Sequence, residues 1–371
     1  MKGEIIIIYL DWAATTPLCE AAKKAIIEHL DDFGNPSSTH ELGRQARVLI
    51  EDARERIAKC INAEPDNIYF TSSGSEADSW AMYYRNVMAS TLEHHAIVPA
   101  RYYYDVDTQG FVRLSKLEQS IKTYCTQRMR PLDMFSCMYV NNELGTIQDV
   151  KAMSIIAHNS GLLFHTDAVQ ALPHIQIDVK DIGCDMLSAS GHKFGAPKGV
   201  GFLYTTTSME QLINGGKQEQ GIRGGTENIL GIISMAAALE DTAEHMEERN
   251  EHIRFLRDKM LDRLLQIPGS HLNGSLEHRV VSNINIRFDG VSGARLVTLC
   301  SLYGVYISSG SACNEGKSEP SHVLKAIGLT NEEALSSIRI TIGHENTEEE
   351  ITQAAKIITK LVERIRLENE L

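Results

Sequence analysis

The chain has 371 residues, 43% hydrophobic and 23% charged, with 36 Lys and Arg against 49 Asp and Glu for a net charge of −13. Its length corresponds to roughly two domains, and a chain of this size can bury a sizeable core. The acidic balance argues against a nucleic-acid surface or a polybasic membrane anchor, and no run approaches the ~18 apolar residues of a spanning helix.

The first apolar run, Ile5 to Leu10, is short and meets Asp11 at once, so it reads as a strand and not as a secretion signal. Pro17 to Leu30 has a helical pattern, with Pro17 near its start and Gly34 just past its end. Ser38 or Thr39 is placed to cap a second helix through RQARVLIEDARERIAKC. Asn67 to Phe70 reads as a strand running into TSSGSEADSWAM, a loop and a helix start. Met134 to Val140, Leu162 to Thr166, Met186 to Ser190 and Val200 to Tyr204 are further strand candidates, and the helical AMSIIAH separates the first two. This alternation predicts an α/β fold.

Thr226 to Ile267 forms one long helical region of the kind that bridges two domains. Beyond it come a strand at Val281 to Phe288, a helix at Ala294 to Leu302 and a strand at Val305 to Ile307. The loop SSGSACNEGKSEPSH follows, then a strand at Ile338 to Ile342. The charged amphipathic stretch Thr347 to Arg366 opens with Thr347 and Glu350 in capping-box positions. We expect a large domain over 13–250, and a small domain over 251–371 that takes back 1–12.

Seven cysteines, at 19, 60, 125, 137, 184, 300 and 313, are scattered, odd in number and never spaced CxxC. Neither a disulfide framework nor a zinc site fits, so no metal and a reducing cytoplasmic compartment are expected.

Four segments carry chemistry. In SASGHKFGAPKG, Lys193 follows a strand in a turn of small residues, where desolvation would lower its pKa and make it a nucleophile for an aldehyde; a surface lysine in a turn is the plainer reading. In FHTDAVQ, Asp167 ends an apolar strand and is placed either to pair with a protonated ring nitrogen or to cap a turn. In SSGSEAD, the backbone N–H groups around Gly74 at a helix start, with the hydroxyls of Ser73 and Ser75, would cradle a phosphate or form an ordinary cap. In the fourth segment Cys313 lies in a polar loop rich in Gly and Ser, including Gly310 and Gly316. A thiol there departs from the usual buried cysteine and suits a mobile carrier. His94, beside His95, is placed to stack on a ring or move a proton near neutral pH. Arg339, inside the apolar run SSIRITIG, needs a partner: a substrate carboxylate, or a structural Asp or Glu.

Together these segments resemble the cysteine desulfurases of the NifS/IscS type, pyridoxal-phosphate enzymes of aminotransferase class V. The resemblance rests on YLDWAATTP, GNPSSTH, FTSSGSEAD, EHHA, VNNELGT, HTDAVQ, SASGHKFGAPKG, GIRGGTEN, SSGSACNEGKSEPSHVL and SSIRITIG, which run in the family's order from Tyr9 to Gly343. Two stretches, YYRNVMASTL before Glu93 and the run from His95 to RYYYDVDTQGF, are shorter than the family's usual helix and strand there.

The resemblance implies the fold type I of pyridoxal-phosphate transferases. In that fold a large domain has a mostly parallel sheet flanked by helices, and a smaller α+β domain carries the cysteine loop. It implies that Lys193 holds the cofactor and acts as base, that Asp167 pairs with the ring nitrogen, and that His94 stacks on the ring. Asn142 and Gln170 would bond the ring's substituent oxygen. Gly74, Ser75, Ser190 and His192 would hold the phosphate, joined by Thr226 from the partner of a homodimer. Asn35 and Arg339 would bind the carboxylate of L-cysteine, and Cys313 would take its sulfur as a persulfide for an acceptor or scaffold protein. The destination would be iron–sulfur assembly or another thiolation. A selenocysteine lyase, another class V enzyme, or a catalytically weak partner-binding relative are the alternatives.

Overall fold

The computed structural model describes residues 7–97, 100, 102–127, 131–309, 313–314 and 317–370, with backbone alone at 126–127, 313–314, 317–318 and 370. The described chain opens on a two-residue strand, β1 (Ile8–Tyr9), then α1 (Glu20–Glu28) and α2 (Glu41–Cys60). The cap of α2 is His40, whose Nδ1 accepts from the Gly43 N–H at 3.3 Å, and not Ser38 or Thr39. An imidazole that reaches back over the first turn does the work of a hydroxyl.

A seven-stranded sheet follows: β2 (Ile68–Thr71), β3 (Val87–Ser90), β4 (Tyr102–Tyr104), β5 (Met134–Ser136), β6 (Leu163–Asp167), β7 (Met186–Ser190) and β8 (Gly201–Thr205). Their order across the sheet is β2-β8-β7-β6-β5-β3-β4. The pairs from β7 to β4 are parallel, and β8 runs antiparallel between β2 and β7. This is the α/β sheet the alternating pattern predicts. Strands β7 and β8 are buried along their whole length, which is why they read as unbroken runs of apolar and small residues. Strands β3 and β4 carry too few residues to show a period. The two shortened stretches still hold both of them, so the sheet keeps its far edge.

Helices α3 (Gly74–Met82), α4 (Leu114–Gln127), α5 (Val150–Asn159) and α6 (Val179–Ile182) connect these strands. The 36-residue α7 (Ile229–Leu264) then runs about 54 Å at the usual rise per residue. Its first part, Ile232 to Leu239, packs in the core beside the large sheet, while Ile253 to Leu264 belongs to a second core.

That second core surrounds a three-stranded antiparallel sheet. It comprises β9 (Ser270–Leu272), β10 (Asn283–Phe288) and, beyond α8 (Gly293–Leu302), the hairpin and two short helices described next, β14 (Ser337–Thr341). Between α8 and β14 lie β11 (Val305–Tyr306), the antiparallel pair β12 (Cys313–Asn314) and β13 (Lys317–Ser318), α9 (His322–Ala326) and α10 (Asn331–Leu335). Strand β1 pairs in parallel with β11, and Asp11 bridges Thr341, so the first described residues sit in the second core. The chain ends in α11 (Glu348–Glu370), opened by the predicted box: Thr347 Oγ1 accepts from Glu350 N at 3.2 Å, and Glu350 Oε2 from Thr347 N at 2.9 Å. Among the described residues no helix is long and apolar enough to cross a membrane, and no cluster of three metal-ligating side chains occurs.

Candidate active site

The carboxyl ends of β6 and β7 open into a cavity of about 670 Å3. Clefts of this kind form where the strands of a parallel sheet give way to loops. Ten predicted residues line it: Lys193, Asp167, Gln170, Asn142, His94, Gly74, Ser75, Ser190, His192 and Arg339.

Lys193 stands at the end of a 3₁₀ turn, Gly191–Lys193, directly after β7. The turn is followed by Gly195 at φ +93°, where a Cβ would lie 2.9 Å from the Cys19 Cβ. Lys193 Nζ donates to the carbonyls of Ala13 and Ala14 at 2.7 and 2.9 Å. Burial, aided by the charge of Arg339, pulls its pKa down to about 8, against the opposing pull of Asp167 and Asp11. The lysine is therefore no surface residue, and a usable fraction of it is neutral near physiological pH.

Asp167 is buried at the last position of β6. Its Oδ1 accepts from the Val169 N–H at 2.8 Å, so the local turn-capping role is present. Burial pushes its pKa up to about 6, while the Val169 N–H and Lys193 draw it down. Beneath it runs a buried polar row: Ser136 Oγ, His165 Nδ1 at 2.8 Å, and His165 Nε2 with Ser188 Oγ at 3.0 Å. Desolvation takes His165 to about 3, which leaves it neutral. Asp78 of α3 is buried beside this row with its Oδ1 free of any hydrogen bond among the described residues.

The cavity is also lined by the start of α3, capped by Ser73, whose hydroxyl accepts from Glu76 N at 3.2 Å. A Cβ on Gly74 would lie 2.7 Å from Val169 Cγ2 and 3.1 Å from Ser190 Cβ, so only glycine lets the backbone approach. Arg223 pairs with Glu76 at 2.8 Å and so neutralises the acid in the first turn. His192 Nδ1 lies 3.1 Å from Thr15 Oγ1, and burial holds its pKa near 4.

His94 Nδ1 accepts from the Ala96 N–H at 3.1 Å, which places the ring proton on Nε2. Burial lowers its pKa, and His95 and Lys193 lower it further. Gln170 Nε2 donates to the Ala13 carbonyl at 2.9 Å. Arg339, in the middle of β14, donates from Nη2 to Asp11 Oδ1 at 2.7 Å and from Nη1 to the Asn142 carbonyl at 2.9 Å. Its Nε is buried without a partner among the described residues. The structural carboxylate and the cavity position both hold for this arginine.

Two predicted residues, Asn35 and Thr226, lie away from that cavity, and a third, Cys313, is described by its backbone alone. Asn35 is exposed, and its Oδ1 accepts from Ser37 N at 2.9 Å. Thr226 is exposed next to Glu227, which pairs with Arg47 at 2.8 Å. The backbone of Cys313 stands opposite Ser318 in the β12–β13 pair; its thiol, with Gly310 and Gly316, lies outside the described residues. Sequence reasoning missed Asp11, Asp78 and the carbonyls of Ala13 and Ala14. Asp11 and Asp78 stood inside motifs already singled out, and a carboxylate among small apolar residues was the signal. A second cavity, also about 670 Å3, backs onto the first through Ala13, Gln170 and Lys193, with Trp12, Phe194 and Ile253 in its walls.

The chain whose strand ends present this half-buried lysine and buried aspartate beside a glycine-opened helix start matches the aminotransferase class-V family model over residues 8–353, and it belongs to that family. Within it, the chain is similar to the cysteine desulfurase IscS of Methanosarcina thermophila, at 37% identity over 97% of this chain and 93% of the relative. Among solved structures it is similar to a NifS-like protein from Rickettsia africae ESF-5. The TM-score is 0.89 and the identity 30%, over 96% of this chain and 100% of the other. It is also similar to SspA solved in complex with cysteine, with a TM-score of 0.77 and 29% identity over 91% and 99% of the two chains.

Proposed function

We propose that this chain is a cysteine desulfurase that works with pyridoxal 5′-phosphate, converting L-cysteine to L-alanine and receiving the sulfur on Cys313 as a persulfide. One observation carries the reading: a half-buried lysine with its pKa lowered to about 8 shares a single cavity with a buried aspartate at the neighbouring strand end. The residues fit the cofactor. At Gly74 a side chain would collide with Val169 and Ser190, which leaves bare backbone where a phosphate would meet the start of α3. At Asp167 the Val169 N–H occupies Oδ1, which leaves Oδ2 for a ring nitrogen.

When bound, the pyridoxal ring supplies a sink for the electron pair left as the Cα proton departs. Lys193 would hold the cofactor and take that proton, a task its lowered pKa suits. Asp167 would keep the ring nitrogen charged, and His94 would cover the ring face. Asn142 and Gln170 would bond the ring's substituent oxygen. Ser75, Ser190 and His192 would hold the phosphate with Gly74, and Thr226 would reach it from a second copy in a homodimer. Asn35 and Arg339 would orient the substrate carboxylate. The Cys313 thiolate would attack the substrate sulfur: the S–S bond forms, the C–S bond breaks, the carbon takes a proton, and alanine leaves.

On this reading 13–250 forms the cofactor domain, and 1–12 with 251–371 the domain of the thiol. The persulfide would pass to an acceptor or scaffold protein for iron–sulfur assembly or another thiolation in the cytoplasm. Alanine and sulfide measured from L-cysteine, with and without reductant, test the proposal. Cys313→Ser should keep the yellow cofactor and lose sulfide release, and Lys193→Ala should lose the colour. Full activity in Cys313→Ser, or no alanine from the wild type, overturns it.

A further inference from the structure

Lys193 is gripped by the loop that follows β1. Asp11 to Ala14 form a turn closed by the Ala14 N–H, which donates to the Asp11 carbonyl at 2.9 Å. The turn brings the carbonyls of Ala13 and Ala14 to the Lys193 amine, where they accept at 2.7 and 2.9 Å. The Ala13 carbonyl also accepts from Gln170 Nε2 at 2.9 Å. Both gripping groups are backbone, so their position depends on what fixes the turn.

Two side chains outside the predicted site fix it. The Tyr9 hydroxyl stands 2.9 Å from the Asp11 carbonyl and 2.9 Å from the Thr15 carbonyl, and its one proton serves both. It closes the base of the loop on either side of Ala13 and Ala14. Thr341, the last residue of β14, is 1% exposed, and its Oγ1 accepts from the Ala13 N–H at 2.9 Å. Its own N–H donates to the Leu10 carbonyl at 2.8 Å, and its carbonyl accepts from the Trp12 N–H at 3.4 Å. Residues two apart on a strand share a face, so Thr341 takes Ala13 beside the place where Arg339 takes Asp11. Beyond the loop, Thr16 N and Thr16 Oγ1 donate to the His192 carbonyl at 3.0 and 3.1 Å, and Gly195 N donates to Thr16 Oγ1 at 2.9 Å. One end of the loop is thus tied to β14, and the other to the turn that carries Lys193.

We propose that Tyr9 and Thr341 are positioning residues, which hold the Ala13 and Ala14 carbonyls as a clamp for the Lys193 amine whenever that amine is free of the cofactor. The proposal rests on the reading of Lys193 given above.

A lysine side chain is long and flexible, and a free ammonium spreads over many rotamers. Two fixed acceptors select one of them. The same acceptors favour the charged amine, because a carbonyl oxygen bonds an ammonium N–H more strongly than a neutral one. Burial and Arg339 oppose that charge, while Asp167 and Asp11 support it. His94 and His192, the other titratable groups beside the amine, have lowered pKa values of their own. Burial and the Asp11 charge raise the Tyr9 pKa, so its hydroxyl stays a donor. Loosening the clamp takes two acceptors from Lys193 and leaves every one of these charges in place, so the pKa of the lysine falls. Phe and Val keep the size of Tyr and Thr, so neither substitution opens room for water.

The test compares the full-length wild type with Tyr9→Phe, Thr341→Val and Thr341→Ser. The cofactor is removed, and covalent uptake of pyridoxal phosphate is followed by stopped-flow absorbance from about pH 6 to about pH 10. Free pyridoxal phosphate titrates alike in every mixture, so a difference in midpoint belongs to the protein. On the holoenzymes, kcat and KM for alanine formation are measured. Tyr9→Phe and Thr341→Val should each lower the uptake midpoint by about half a pH unit or more, which is about a threefold change in the dissociation constant of the ammonium. Each should lower kcat about tenfold with KM within about twofold, because the free amine leaves its line to the Cα proton. Thr341→Ser keeps the hydroxyl and should keep the wild-type midpoint. A loss of packing alone would slow uptake at every pH and leave the midpoint in place. A midpoint unchanged or raised in Tyr9→Phe or Thr341→Val overturns the proposal, as does a Thr341→Ser profile that matches Thr341→Val. Should one of these variants fail to fold, the other decides on the same criterion. A flat wild-type profile removes Lys193 as the attachment point and with it the reading above. A wild-type midpoint near 8 that both variants share removes the clamp alone.

Discussion

Asp11 and Arg339 meet at 2.7 Å across the cavity wall, joining the segment after β1 to the middle of β14. The pair is mostly buried, and the same guanidinium reaches the Asn142 carbonyl, so one edge of it is committed to structure. The remaining N–H groups of the guanidinium, with the unpartnered Nε among them, are the donors left for a substrate carboxylate. Arg339→Lys should lower kcat/KM about 30-fold, the effect of losing a charge-assisted hydrogen bond of about 2 kcal/mol, with most of the change in KM. Asp11→Asn keeps an acceptor and should cost less than tenfold. Steady-state kinetics with L-cysteine check both, and a larger loss in Asp11→Asn than in Arg339→Lys would assign the arginine to structure alone.

Lys193 has its pKa lowered to about 8, so its neutral, nucleophilic fraction grows as pH rises through that value. The rate at which apo-protein takes up pyridoxal phosphate covalently should therefore climb from about pH 7 to about pH 9, with a midpoint near 8. Stopped-flow absorbance measures it. A flat profile would mean that the lysine is not the attachment point.

Gly74 meets Val169 and Ser190 so closely that a methyl group must displace one of them. Gly74→Ala should weaken cofactor binding by roughly 5- to 150-fold, from a strain of about 1–3 kcal/mol placed where the phosphate would sit. Equilibrium titration of the apo-protein with pyridoxal phosphate reads the effect. Thermal unfolding of the same apo-protein should move by only a few degrees.

Glu93 is buried, accepts from Ser90 Oγ and from Met138 N at 2.9 Å through Oε1, and has Oε2 without a partner among the described residues. Burial raises its pKa to about 8. A carboxyl raised on folding contributes stability that is whole below its unfolded pKa of about 4.3 and is lost as pH climbs through the folded value. Glu93→Gln keeps the Oε1 acceptor and removes the titration. The variant's melting point should gain on the wild type by the equivalent of roughly 1 kcal/mol per pH unit between about pH 5 and pH 8. Parallel melting curves at every pH would contradict the assignment.

The candidate site was legible where chemistry and local pattern coincide. Lys193 and Asp167 each follow an apolar run, and a strand buried on both faces is such a run, so the place of each at a strand end followed from the residues beside it, while the pairing of the two strands came from the sheet. Gly74 stood at a strand-to-helix turn for the same reason. Strands β3 and β4 were not legible, because three or four residues carry no period and their partners across the sheet lie elsewhere in the chain. The cap of α2 was misplaced because hydroxyls are the expected caps and a histidine one residue later did the work.

What the residues determined alone is therefore local and chemical: the alternation of strand and helix, the lysine, the aspartate, the thiol segment, and the family those motifs spell. Tertiary structure decided which distant groups meet. Only folding brings Asp11 to Arg339, the carbonyls of Ala13 and Ala14 to Lys193, and Glu143 to Ser321. The reason is physical: local patterns reflect backbone geometry and solvent within a few residues. The strength of an ion pair or the pKa of a buried amine depends on what lies across a few ångströms of protein interior, and chain order does not specify that.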